Sequence, residues 1–176
     1  MSLFFITGIS GSGKSEVTRE LKARSYEAYD TDDDGLAKWQ NNETGYIHPK
    51  SSVKQESRTD DFLHSHSWNV SRQDVIKLAE RAKDKPIFLC GVADNAHELL
   101  DLFSKVFALA IDGDTLKHRL ETRTGNNWGK QPHELQWSLK QQESKNKAYR
   151  NAGFTIIDAA QPVRKVVDGI LKNATI

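Results

Sequence analysis

Short, mostly apolar runs recur along the chain, separated by stretches whose apolar positions fall three and four apart. The runs are Met1 to Thr7 (MSLFFIT), Tyr26 to Tyr29, Pro86 to Gly91 (PIFLCG), Val106 to Ile111 (VFALAI) and Phe154 to Asp158 (FTIID). Each is short enough to be a strand, and most lack the in–out alternation of a half-exposed one. Such strands are buried on both faces, as in a parallel sheet covered by helices. The intervening stretches predict helices over Gly13 to Arg24, with Val17 and Leu21 on one face, and from an N-cap at Ser71 to about Lys83. In the latter, Val75, Ile76, Leu78 and Ala79 form the apolar side. Further helices are predicted over Asp94 to Leu102, Thr115 to Thr122, Glu134 to Arg150, and Pro162 to Leu171, where proline is tolerated in the first turn.

One region breaks the alternation. Gly35 to Gln40 reads as a short helix, with Asp33 and Asp34 as acids at its start. Asn41 to Asn69 is irregular and polar, with Gly45, Pro49 and a few aromatic residues. It is longer than an ordinary connection, which favours a functional insert.

Composition narrows the class without naming it. At 176 residues, 37% hydrophobic and 28% charged, the chain suits one polar-surfaced domain, 1–176. A formal net charge of +1 offers no basic field for nucleic acid. No apolar run approaches membrane-spanning length, and the first strand begins at once, leaving no room for a signal peptide. The lone Cys90 has no partner for an internal disulfide, which suits a reducing, cytoplasmic home. With no heptad pattern, a monomer is expected.

The chemistry is concentrated in Gly8 to Ser15, GISGSGKS, which matches G-x-x-x-x-G-K-[ST] between a predicted strand and a predicted helix. Gly8, Gly11 and Gly13 let the backbone curl so that successive N–H groups point at an anion. The helix that follows adds the positive end of its dipole. Lys14 can reach the β- and γ-phosphates of a nucleoside triphosphate, and Ser15 can coordinate Mg²⁺. The expected nucleotide contacts are Gly8, Ser10, Gly11, Ser12, Gly13, Lys14, Ser15 and Glu16, with ATP and Mg²⁺ as cofactors.

Ligands of parallel sheets bind beyond the carboxyl ends of the strands. After the second strand stand Asp30 and Asp32, suited to a Mg²⁺ water shell and to a substrate hydroxyl. After the third, Gly91 would permit close approach of substrate, and Asp94 is either a second metal or substrate contact or a cap on the next helix. After the fourth, Arg119 and Arg123 lie four apart on one helical face ahead of a Gly/Asn-rich loop. This is the layout of a lid that closes on phosphates, with Trp128 and Lys130 in its moving part. Pro162 and Val163 follow the fifth, where an adenine ring would lie. Arg58 and Trp68 of the insert are further candidate contacts. His64 and His66 lack a third partner at metal-ligand spacing.

These motifs together resemble the small-kinase branch of P-loop proteins, which includes shikimate kinase, gluconate kinase, dephospho-CoA kinase and the nucleoside monophosphate kinases. The resemblance rests on GISGSGKS, D-T-D after the second strand, R-L-E-T-R in the lid helix and I-D-A-A-Q-P-V before the last helix. It implies a three-layer α/β/α fold around a five-stranded parallel sheet in the order 2-3-1-4-5. It also implies a substrate insert at about 33–70 and a lid at about 112–130. In shikimate-kinase-like enzymes one Asp of the Asp-x-Asp pair assists Mg²⁺ and the other holds the acceptor hydroxyl, which places Asp30 and Asp32 in those roles. The lid arginine is Arg119 or Arg123. The chain departs from shikimate kinases in lacking their triple glycine, since Gly91-Val92-Ala93-Asp94 stands there. The insert has Arg58 as its one arginine, and Arg72 just follows it. These departures point to a neutral or weakly anionic acceptor.

The expected activity is therefore transfer of the γ-phosphoryl group of MgATP to a hydroxyl or phosphate of a small-molecule acceptor. Lys14, Asp30, Asp32, Arg119 and Arg123 are the catalytic candidates, and Ser15, Asp30 and Asp32 the metal-side ones. A nucleoside acceptor stacked on Tyr46 or Trp68 is one option. The alternative is a nucleotide-dependent switch or slow ATPase that acts on a protein partner through Glu134 to Arg150.

Overall fold

The computed structural model describes residues 2–49, 52–54, 57–124 and 130–174. Five parallel strands form the central sheet: β1 (Leu3–Thr7), β2 (Glu27–Asp30), β5 (Ile87–Cys90), β6 (Lys105–Ala110) and β7 (Thr155–Asp158). Their spatial order is β2-β5-β1-β6-β7. Two strands of a separate hairpin, β3 (Ala37–Asn41) and β4 (His66–Val70), intervene in the chain. Among the five sheet strands alone, the order is the expected 2-3-1-4-5.

The uniform apolar runs are explained by burial on both faces. Alternate residues Phe4, Ile6, Phe88, Cys90, Phe107 and Leu109 pack on one side against α1 (Lys14–Ala23) and α6 (Val163–Ala174). Val17 and Leu21 of α1 and Val166, Val167 and Ile170 of α6 fill that layer. The other parity, Leu3, Phe5, Ile87, Leu89 and Val106, packs against α3 (Arg72–Arg81) through Val75, Leu78 and Ala79. The run Ala96–Leu102, a tight 3-10 helix rather than the expected α-helix, adds Leu99 to this layer. α4 (Gly113–Thr122) and α5 (Pro132–Asn151) meet through Leu116, Leu120, Leu135 and Leu139 beside the phosphate loop. Burial pushes the Cys90 thiol up to about 12, so it packs as a small apolar group rather than a nucleophile.

Two expectations need correction, and that for Ser71 holds in position only. Ile76 is 38% exposed and lies off the buried face of α3. Ser71 occupies the N-cap position of α3, but its side chain makes no capping hydrogen bond. The largest difference is in the insert. Gly35 to Gln40 is not helical, because Ala37–Asn41 pairs antiparallel with His66–Val70. Ala37 and Val70 are directly opposite and anchor the hairpin in the core at 1% and 2% exposure. Next along the same face, Trp39 faces Trp68 with ring centroids 5.1 Å apart, a cross-strand aromatic pair that no helix could form. The short helix α2 (Asp60–Ser65) lies between the two strands in the chain, capped by the Thr59 side chain, and Phe62 packs edge-on against Trp39. Of the stretch expected to be irregular, Asn41 and His66 to Asn69 belong to the hairpin and Asp60–Ser65 to α2, and the other described residues between them are mostly turns and loop.

Candidate functional site

β1 delivers the chain into the phosphate loop and α1 carries it away. Gly11 and Gly13 have φ of 89° and 100°, a left-handed region that disfavours any side chain. At Gly8 the constraint is space, since a Cβ there would sit 2.5 Å from Ser12 Oγ and 3.0 Å from Leu109 O. Ser12 is 1% exposed, and its hydroxyl has no hydrogen-bond partner among the described residues. The first N–H groups of α1 have no intrahelical acceptors. An unpartnered hydroxyl and free N–H donors at a helix start fit an oxyanion, so the loop meets the requirement for a triphosphate. Lys14 is folded over this loop, its Nζ donating to Gly8 O at 2.7 Å and Ile9 O at 3.0 Å. Burial of the ammonium pushes Lys14 down to about 8, against the opposing attraction of Asp32 and Asp30.

The two carboxylates have different surroundings. Asp30 is 6% exposed and fully engaged. Its Oδ1 accepts from the N–H groups of Asp32 (3.0 Å) and Asp33 (3.3 Å), and its Oδ2 accepts from Ser15 Oγ at 3.0 Å. Asp32 is exposed. Its Oδ1 accepts from Trp68 Nε1 at 3.0 Å and Thr31 Oγ1 at 3.1 Å. Among the described residues no hydrogen bond reaches its Oδ2. Asp34 does not start a helix: its Oδ2 accepts from Asp30 N (2.8 Å) and Lys22 Nζ (3.3 Å), closing the turn that carries both carboxylates.

The end of β5 differs from expectation in two ways. Gly91 does not open the backbone to substrate. A Cβ there would land on the Thr31 side chain, which is fully buried, so the glycine makes room for Thr31. Asp94 does not cap the following helix, whose N-cap residue is Asn95. Its Oδ2 accepts from Trp68 N at 2.7 Å, while its own N–H donates to Trp68 O at 2.8 Å. Asn95 repeats the pairing two residues along β4: Val70 N donates to its Oδ1 at 3.1 Å, and its Nδ2 donates to Val70 O at 2.9 Å. The Asp94-Asn95 pair thus holds β4 to the end of β5. Asn95 and Thr31 were not legible as site residues, because the partners they serve lie far away in sequence.

The two arginines of α4 and its C-terminal end reach different parts of the loop. Arg119 donates to Ser12 O at 3.2 Å and to Ala159 O at 2.7 Å, tying the phosphate loop to the segment that leads into Pro162 and Val163. Arg123 donates to Ser10 Oγ at 3.3 Å. Glu16 lies in the exposed first turn of α1. Lys130 Nζ donates to Glu121 O at 2.7 Å. Trp128 lies outside the described residues. Arg58 sits over the Trp39 ring at 5.6 Å, and Arg72 is committed to Asp101 and Glu98 O. His66 stacks on Phe62 at 3.9 Å between centroids. Among the described residues, no three His, Cys, Asp or Glu side chains form a metal-binding group.

A nucleotide-binding P-loop at the carboxyl edge of a five-stranded parallel sheet defines the class. Residues 5–147 match the model of the AAA domain family, and the chain belongs to that family. No curated protein matches it. Its fold is that of P-loop small-molecule kinases. A shikimate kinase from Bacteroides thetaiotaomicron superposes with a TM-score of 0.64 at 16% identity, covering 99% of each chain. A gluconokinase from Sinorhizobium meliloti 1021 gives 0.55 at 20% identity, covering 99% of this chain and 91% of its own. A deoxyadenosine kinase from M. mycoides with bound dATP gives 0.55 at 14% identity, covering 99% and 100%.

Proposed function

We propose that this chain is an ATP-dependent kinase that transfers the γ-phosphoryl group of MgATP to a hydroxyl, or a phosphate, of a small-molecule acceptor. The observation that carries the reading is the division of labour between Asp30 and Asp32. One carboxylate is bound to the Ser15 hydroxyl of the phosphate loop, and its neighbour on the same rim keeps an oxygen free of hydrogen bonds from the described residues.

In this reading the chain is one kinase domain, with the hairpin insert at about 33–70 on the acceptor side and the lid at about 112–130. The loop N–H groups hold the phosphates, and Lys14 turns from its loop carbonyls to the β- and γ-oxygens. Ser15, and Asp30 through water, would hold Mg²⁺, which when bound neutralises charge on the phosphate oxygens. Asp32 Oδ2 accepts the acceptor hydroxyl and orients its oxygen toward the γ-phosphorus. The new O–P bond forms as the bond to the β-phosphate oxygen breaks. ADP leaves, and the acceptor proton passes to Asp32 or to water. Arg123, bonded to the loop at Ser10, neutralises charge on the moving phosphoryl group. Arg119, bonded to Ala159 near Pro162, belongs to the base side. Positioning and electrostatics supply most of the rate in such transfers.

The test is ADP release from MgATP across sugars, sugar acids, nucleosides and nucleoside monophosphates. Strong stimulation by one acceptor class is expected, with turnover lost in Lys14→Ala. An acceptor-stimulated rate that survives in folded Lys14→Ala contradicts the mechanism.

A further inference from the structure

Trp68 belongs to the hairpin, yet its indole N–H reaches across to the carboxylate just past the end of β2. Its backbone is fixed from the other side, because both its N–H and its carbonyl are paired with Asp94 after β5. Asp94, Trp68 and Asp32 therefore form a continuous bridge over the rim where ligands of this fold bind. The bridge has a directional consequence. Two neutral donors, the indole N–H and the Thr31 hydroxyl, both fall on Oδ1 of Asp32. They fix the rotation of an otherwise exposed carboxylate and leave Oδ2 as the oxygen presented outward. A carboxylate turning freely would offer either oxygen in many directions, and most would be unproductive for a reaction that depends on placing one hydroxyl.

We infer that Trp68 is a positioning residue, which with Asp94 locks Asp32 so that a single oxygen faces the acceptor and couples the insert to the reacting end of the site. This rests on the reading of Asp32 as the acceptor-side carboxylate. The lock acts on transfer rather than on nucleotide binding, since Trp68 makes no hydrogen bond to the phosphate loop among the described residues. It also makes insert position and acceptor alignment one variable: displacing the hairpin removes the donor that orients Asp32.

The experiment uses the full chain with MgATP as the probe and water as the surrogate acceptor. Trp68→Phe keeps a ring in the hairpin but deletes the N–H. It is expected to lower kcat about tenfold, the size of one lost hydrogen bond to a charged group, while KM for MgATP stays within about twofold. Asp94→Ala, which removes the side-chain acceptor of the Trp68 N–H and leaves the indole and the bond from Asp94 N–H to Trp68 O in place, lowers kcat in the same direction. In ¹⁵N-labelled protein, the Trp68 indole resonance, identified by its loss in Trp68→Phe, shifts in Asp32→Asn while that of Trp137 does not. If Asp32→Asn slows the reaction but Trp68→Phe and Asp94→Ala run at the wild-type rate, the lock is overturned and the kinase reading stands. An indole resonance indifferent to Asp32→Asn overturns it as well. If Asp32→Asn itself runs at the wild-type rate, the assignment of Asp32 falls and takes the lock with it.

Discussion

The Ser15 hydroxyl donates to Asp30 Oδ2 at 3.0 Å, joining the last residue of the phosphate loop to the last residue of β2. The parallel register brings this about. Asp30 is aligned with Cys90, and Cys90 with Ile6, so β2 ends level with the point where β1 turns into the loop. Asp30 is buried and holds its own turn through two backbone N–H groups. On the proposed reading, its replacement therefore acts on the metal side of the site through a fixed geometry. Asp30→Asn is expected to lower kcat by about 10² or more, the scale of removing one preorganised electrostatic group. Raising Mg²⁺ restores part of the loss. Steady-state rates across a Mg²⁺ series check this.

Lys14 carries a proton-linked prediction. Its group lies near 8 in the ligand-free fold, against an ordinary value of 10.5, with burial as the main cause. Between those two values the unfolded chain holds a proton that the folded chain lacks, so stability rises with pH across that window. Phosphate favours the charged form. Binding MgATP above about pH 8 therefore takes up a proton, and affinity falls as pH rises further. Calorimetry in two buffers of different ionisation enthalpy measures the uptake directly, and Lys14→Met is expected to abolish it.

The two arginines at the C-terminal end of α4 are expected to separate kinetically. Arg123, bonded to Ser10 Oγ, faces the phosphate loop, so Arg123→Ala lowers kcat by about 10³, within the range seen for arginines that stabilise a transferring phosphoryl group. Arg119 ties Ser12 to Ala159, so Arg119→Ala is expected mainly to raise KM for ATP. Measuring both constants for both variants checks the assignment; a reversed pattern exchanges the roles.

Two glycine substitutions test opposite steric expectations. Gly91→Ala drives a methyl group into the buried Thr31 side chain and is expected to cost roughly 1–3 kcal/mol, the usual penalty for overpacking. Gly113, at the start of α4, has open space where a Cβ would project, with nothing within 4 Å, so Gly113→Ala is expected to be neutral or to stabilise by up to about 1 kcal/mol. Paired thermal melts read both.

Much of this was legible in the chain, for physical reasons that differ by residue. GISGSGKS announces itself because few sequences combine left-handed backbone positions, a helix start and a lysine at fixed spacing. The central strands β1, β5 and β6 were visible because burial on both faces demands unbroken apolar runs, whereas the edge strands β2 and β7 are only partly buried and carry polar residues. The hairpin was not visible. Ala37–Asn41 reads AKWQN, with only Ala37 and Trp39 marking its apolar face, and its strand character comes from pairing with His66–Val70 beyond a long excursion. The sequence leaves Asp94 as either a metal or substrate contact or a helix cap, whereas its observed partner is a backbone N–H brought near only by the fold. Gly91 looked like room for substrate and proves to be room for Thr31.

Phosphoryl transfer from MgATP to a small acceptor is tested most directly by coupled ADP release against a broad metabolite panel. Strong stimulation by one class of hydroxylated compound is predicted in the wild type, and none in Lys14→Ala. A flat panel from protein that binds MgATP tightly would contradict a kinase.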